Sequence, residues 1–116
     1  MEKQIVWMGQ SYKELCSMPE DVQDELGYAL GVAQLGGKAD SATSMKGNLR
    51  EVVEVVSDFY KNTYRAMYTV ALKDRVYVLD AFQKKSKAGI ATPKPDLDRI
   101  RQRLRDAKQH YKENPP

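Results

Sequence analysis

Two kinds of hydrophobic spacing divide the chain. Val22, Leu26, Ala29, Leu30 and Ala33 recur three or four positions apart, with one adjacent pair. That is the period of a buried helix face. The spacing predicts a helix that opens at Pro19, takes acidic Glu20 and Asp21 in its first turn and ends at Gly36-Gly37. Ser11 is a candidate cap for a shorter helix before it, running to about Met18 with Tyr12, Leu15 and Cys16 as its apolar stripe. Leu97, Ile100, Leu104, Ala107 and Tyr111 predict a third helix over about Pro93–Lys112, started by Thr92-Pro93. Asn114-Pro115-Pro116 reads as a loose end.

Between the helical stretches the pattern turns β-branched and aromatic. Leu49–Ser57, Thr63–Leu72 and Arg75–Phe82 read as strands, separated by turn-like Tyr60-Lys61-Asn62 and Lys73-Asp74. Such short connections imply an antiparallel meander. Gln4-Ile-Val-Trp-Met8 reads as a further short strand, and Ala88-Gly89-Ile90-Ala91 as a loop. The order is β-α-α-β-β-β-α. The expectation is an α+β domain spanning residues 1–116, with two N-terminal helices and a C-terminal helix on a small, mainly antiparallel sheet. The helices are expected on one sheet face, leaving the other open and concave for a ligand. Gly27 and Gly31 are read as marking close packing of a neighbouring helix.

Composition narrows the chemistry. A chain of 116 residues, 41% hydrophobic and 30% charged, suits one ordinary core. One cysteine, Cys16, excludes an internal disulfide framework and a multi-cysteine zinc site. One histidine, His110, excludes mechanisms that need two. No cofactor or metal is expected: P-loop, dinucleotide, EF-hand and zinc spacings are all missing. No apolar run reaches membrane-spanning length and no signal peptide is visible, so a cytoplasmic protein is expected. Acid–base and electrostatic work falls to Lys, Arg, Tyr, Asp or Glu.

Charge is unevenly spread. Residues 1–45 hold three basic and seven acidic residues, a net −4, whereas residues 46–116 hold sixteen and nine, a net +7. Ten basic residues crowd into residues 84–112 against three aspartates. A basic half on a small domain suits a polyanion such as nucleic acid, or is a solvated helix face.

Alternation along the strands selects candidates within that half. Tyr64, Ala66, Tyr68, Val70 and Leu72 share one side, and Thr63, Arg65, Met67, Thr69 and Ala71 the other, more polar side. Asp80 falls on the same side as Val76 and Val78, where a carboxylate needs a cation or water. Arg65, one strand over, is a candidate partner, in a strand-edge salt bridge or a catalytic pair. Lys84, Lys85 and Lys87 follow the last strand and could hold a phosphate, or simply keep a loop soluble. The arginines of the last helix could grip backbone phosphates, or only face solvent. Lys46, Arg50 and the Glu51/Glu54 pair are weaker signals.

Thr63-Tyr64-Arg65-Ala66-Met67-Tyr68-Thr69-Val70, followed by Val76-Tyr77-Val78-Leu79-Asp80-Ala81-Phe82-Gln83-Lys84-Lys85-Ser86, resembles the centre of the phage-derived HigB-type toxins of the RelE/ParE superfamily. Their usual strings are a YR-x-x-Y strand and then a strand ending L-H-A-F-x-K-K-S/T. Thr92-Pro93 and Ile100-Arg101-Gln102-Arg103-Leu104 match the helix that follows, and Met18-Pro19-Glu20-Asp21-Val22 resembles the opening of the second helix. The resemblance covers nearly the whole chain.

It implies the toxin of a type II toxin–antitoxin pair, with a cognate helix-turn-helix antitoxin as partner. Such toxins enter the ribosomal A site and cut mRNA without a metal, the 2′-hydroxyl attacking the adjacent phosphate. It implies catalytic roles for Arg65, Asp80, Lys84 and Lys85, with a group on the last strand assisting proton transfer. Lys46, Arg50, Lys87, Arg99, Arg101 and Arg103 are implied as contacts to mRNA and ribosomal RNA. Two positions depart from the pattern. Asp80 stands where many relatives carry His, so it is a base, a group that orients Arg65, or a lesion that lowers activity. Glu51-Val52-Val53 stands where Glu-x-Arg is frequent. The superfamily also holds gyrase-poisoning toxins that cut no RNA, so a degenerate or non-catalytic binding protein is the alternative. A structural phage protein is a third.

Overall fold

The computed structural model describes residues 2–84 and 92–116. Lys85, Lys87 and the loop expected at 88–91 lie outside the described residues. Five strands and three helices follow in the order β1 (Gln4–Trp7), α1 (Ser11–Cys16), α2 (Glu20–Gln34), β2 (Ala42–Ser44), β3 (Val52–Phe59), β4 (Asn62–Thr69), β5 (Arg75–Lys84) and α3 (Lys94–Glu113). A 3₁₀ turn, Gly47–Leu49, joins β2 to β3. The sheet order is β1-β5-β4-β3-β2. β1 runs parallel to β5, and the other neighbours are antiparallel. This is the α+β, mainly antiparallel architecture that the hydrophobic pattern predicts, with β2 added.

The helix ends follow local chemistry. Pro19 and Pro93 precede α2 and α3 in extended conformation, and Pro95 sits in the first turn of α3. There its missing N–H leaves no bond unmade. Gly36 closes α2 at φ +89°, a conformation that favours glycine. Ser11 is not the cap of α1: it is buried, and its hydroxyl donates to the Val78 carbonyl at 3.2 Å, pinning α1 to β5.

Both faces of the sheet are covered, not one. On the first face Val22, Leu26, Ala29 and Leu30 of α2 pack with Val53, Val55, Ala66, Tyr68, Val76 and Val78. On the second, Ile100, Leu104 and Ala107 of α3 pack on Val52, Met67, Tyr77 and Leu79. Each fully buried Ile or Leu there contributes about 1.5–3 kcal/mol. The +7 half of the chain has a helical stripe as regular as the N-terminal one, and it requires a sheet face of its own. Gly27 and Gly31 have open space around them rather than a neighbouring helix.

A bulge decides which way Asp80 faces. Tyr68 pairs with Val78, but Met67 pairs with Asp80, so Leu79 is an extra residue on β5. The extra residue reverses the alternation beyond it. Asp80 and Phe82 therefore join Tyr77 and Leu79 under α3, and Ala81 joins Val76 and Val78. Strict alternation places Asp80 on the opposite side.

Candidate functional site

The β3–β4 register sets Arg65 opposite Val56 and Glu54 opposite Met67, so Arg65 and Glu54 are diagonal neighbours on the α3 side. Their side chains form an ion pair through Arg65 Nη1 and Glu54 Oε2. Arg65 Nη1 also donates to Thr92 Oγ1 at 3.2 Å, just ahead of α3. These residues form the floor of a cleft of about 340 Å³. Lys46 borders it from the β2–β3 connection, and Leu97 and Arg101 from α3.

Lys84 stands beside this floor. It pairs with Thr63 at the end of β5, two positions past Phe82, which faces Arg65. Its residue is only 5% exposed. Burial pushes its ammonium below the ordinary lysine value, and the Arg65 charge pushes the same way, partly offset by Glu54. Among the described residues Lys84 Nζ finds no hydrogen-bond partner, and neither do Arg65 Nε and Arg101 Nε. A buried donor left unsatisfied costs about 1–3 kcal/mol. Three such cationic donors in and beside one cleft make an arrangement that an anion would complete.

Asp80 belongs to a different cluster. Arg99 Nη2 reaches Asp80 Oδ2 at 2.7 Å, and Arg103 Nη1 reaches Oδ1 at 2.9 Å. Arg103 Nη1 also donates to the Leu79 carbonyl at 2.9 Å, and Arg99 Nη2 pairs with Asp96 at 2.6 Å. The Arg103 guanidinium packs against Gly9 so closely that an added Cβ would lie 2.7 Å from its Cζ. The candidate Arg65–Asp80 pair does not form: Asp80 lies diagonal to Arg65 across Met67, as Glu54 does, but Arg99 and Arg103 take both of its oxygens and Arg65 turns to Glu54.

Of the residues singled out in the sequence, the fold brings Arg65, Lys46 and Arg101 to the cleft and sets Lys84 beside it. Arg99 and Arg103 are drawn to Asp80. Arg50 is exposed just before β3. Glu54, a weak signal in the sequence, and Thr92, which reads there only as a helix start, also line the cleft. Glu54 was legible as an acidic residue interrupting the Val52–Val56 run one strand from Arg65. Among the described residues no three His, Cys, Asp or Glu side chains converge to hold a metal ion. No described helix is long and apolar enough to cross a membrane.

The fold and the cleft define a small α+β protein with a cation-lined site between the sheet and its C-terminal helix. Residues 13–105 match the family described as phage-derived protein Gp49-like, and the chain belongs to that family. A chain of the toxin–antitoxin complex RelBE2 from Mycobacterium tuberculosis is similar in structure, with a TM-score of 0.52. At 12% identity over 72% of this chain and 100% of that one, the likeness is one of fold. A search of curated proteins returns no match.

Proposed function

We propose that this chain is the toxin of a type II toxin–antitoxin pair and that it cleaves mRNA in the ribosomal A site. The observation that carries the reading is a trio of cationic donors, Arg65 Nε, Lys84 Nζ and Arg101 Nε, in and beside one cleft and without a partner among the described residues. They fit a phosphodiester. The similarity to a chain of a toxin–antitoxin complex, and the sequence resemblance to HigB-type toxins, support the biological setting. The partner is a helix-turn-helix antitoxin that covers the cleft, and the site of action is the cytoplasm.

In this reading the phosphate takes the Arg65 guanidinium, and Glu54 is released from its pair. The 2′-oxygen attacks phosphorus and forms the P–O2′ bond, and its proton passes to Glu54. The P–O5′ bond breaks, and the leaving oxygen takes a proton from Lys84, whose lowered pKa suits donation. The products are a 2′,3′-cyclic phosphate and a 5′-hydroxyl. Arg65 offsets the charge of the transition state. Lys46 and Arg101 contact RNA along the cleft, Arg50 contacts it from its exposed place before β3, and Lys85 and Lys87 keep the catalytic and RNA-binding roles that the resemblance implies. Asp80 lies outside the chemistry, since Arg99 and Arg103 take both of its oxygens; together they anchor α3.

Controlled expression tests this. Growth should stop, primer extension should show new mRNA ends inside reading frames, and Arg65→Gln should abolish both. Growth arrest with intact transcripts would overturn the cleavage reading.

A further inference from the structure

The turn between β3 and β4 carries an aromatic ring where turn chemistry disfavours one. Phe59 pairs with Asn62, leaving Tyr60 and Lys61 as the two-residue connection. Tyr60 has φ +57°, in the left-handed region that Gly, Asn and Asp normally supply. For a bulky side chain this conformation is an outlier with an energetic cost. Yet the ring is 90% exposed, so burial returns nothing for it.

The turn is well braced. The Phe59 ring meets that of Tyr60 edge-on, with centroids 4.6 Å apart and planes at 75°. Thr63 Oγ1 donates to Asp58 Oδ1 at 2.9 Å, tying the two strands just behind the turn. A supported ring held out in water loses little conformational freedom when a flat partner stacks on it.

Its position relates it to the cleft. Arg65 lies three residues into β4 from Asn62, about 10 Å of strand. Lys84 pairs with Thr63, next to the turn. Arg65, Lys84 and the Tyr60-Lys61 turn thus follow one another toward a single end of the sheet, with Lys61 adding a cation beside the ring. Phosphate-binding cations in line with an exposed aromatic form the pattern by which proteins hold single-stranded nucleic acid.

We propose that Tyr60 is a base-stacking platform that holds an unpaired RNA base a few nucleotides from the phosphate bound at Arg65. This rests on the reading of the cleft as an RNA site. It adds a contact that selects single-stranded RNA over a simple anion.

The test is binding of a fluorescein-labelled, unstructured 2′-O-methyl RNA dodecamer, which the 2′-oxygen cannot cleave, to the purified full chain at low salt. Fluorescence anisotropy reads the affinity, and thermal unfolding checks each variant. Tyr60→Phe should bind as the natural chain does. Tyr60→Ala should bind about tenfold more weakly, with the slope of log affinity against log salt unchanged, because no charge is lost. Tyr60→Gly should lose the same affinity while melting at a higher temperature, since the left-handed strain is relieved. Natural-strength binding by Tyr60→Ala, with weakening by Arg65→Gln and Lys84→Gln, would overturn the stacking role and leave the cleft reading standing. No salt-dependent binding by the natural chain would overturn both.

Discussion

Two ionic clusters sit on the same face of the sheet beneath the same helix, and they differ in how completely they are satisfied. Asp80 is 3% exposed, both its oxygens are engaged, and its arginine partners also reach Asp96 and the Leu79 carbonyl. Glu54 and Arg65 are also paired, but they open onto a cleft, and cationic donors around them have no partner among the described residues. The first arrangement joins α3 to β5 and, through Arg103 against Gly9, to the start of α1. The second keeps charge available. Neither the number of ion pairs nor the depth of burial tells the two clusters apart; the donors without a partner among the described residues do.

The largest expected effect is on the closed cluster. Asp80→Ala leaves Arg99 and Arg103 facing each other across a partly buried site without their shared anion. Breaking a buried pair from one side costs about 3–5 kcal/mol. Partial exposure of Arg99 puts this case near the lower end, about 3 kcal/mol in urea unfolding. If the loss is below about 1 kcal/mol, the cluster is not what anchors α3. Arg65→Gln should do the opposite. Its stability cost should stay near 1 kcal/mol, because Glu54 keeps Thr92 within reach and feels the charge of Lys84. Cleavage should fall by at least about 100-fold, as when an electrostatic stabiliser is removed. Mapped mRNA ends and urea unfolding, measured on both variants, would merge the two clusters into one class if they moved together.

The sequence shows this contrast only in part, and the reasons are local. Helix α3 is readable within a residue or so at each end because the three- and four-residue spacing and the Thr92-Pro93 start are neighbours in the chain. β2 is missed because Ala42-Thr43-Ser44 is three residues with no apolar alternation, a strand only through its pairing with β3. The bulge at Leu79 is also a property of pairing. It turns Asp80 from one face to the other and so gives it different partners. The need of Asp80 for a cation is legible from the cost of burying a carboxylate. Which of several arginines on α3 answers it depends on how the helix lies across the strand. Glu54 gains meaning in the same way, only once Arg65 is set diagonally beside it.

A smaller effect probes the edge of the closed cluster. Gly9 has φ +55°, and its missing Cβ is what lets the Arg103 guanidinium approach. Gly9→Ala adds left-handed strain of about 1–2 kcal/mol and crowds a guanidinium already fixed by Asp80. Urea unfolding should show a loss in that range. In an Arg103→Ala background the crowding part should vanish and the conformational part remain. An equal loss in both backgrounds would mean that Arg103 simply moves aside.

The smallest effect concerns the open cluster and has a sign that distinguishes it. The folded chain holds the Lys84 proton less tightly than the ordinary lysine, whose value is 10.5, and burial is the main cause. The unfolded chain therefore binds more protons between the lowered folded value and 10.5, and stability rises with pH there. The penalty is full below the lowered folded value, eases as pH climbs through it and is gone above 10.5. Lys84→Met should thus stabilise the chain by about 1 kcal/mol at pH 7, the lower bound for removing an unsatisfied buried donor. Its advantage should narrow as the pH approaches 10.5. Added sulfate should raise the melting temperature of the natural chain more than that of Lys84→Met, since an anion that binds only the folded state shifts its stability. If Lys84→Met were destabilising at pH 7 and sulfate acted on both chains alike, Lys84 would belong with the closed cluster, as a cation already satisfied by the fold.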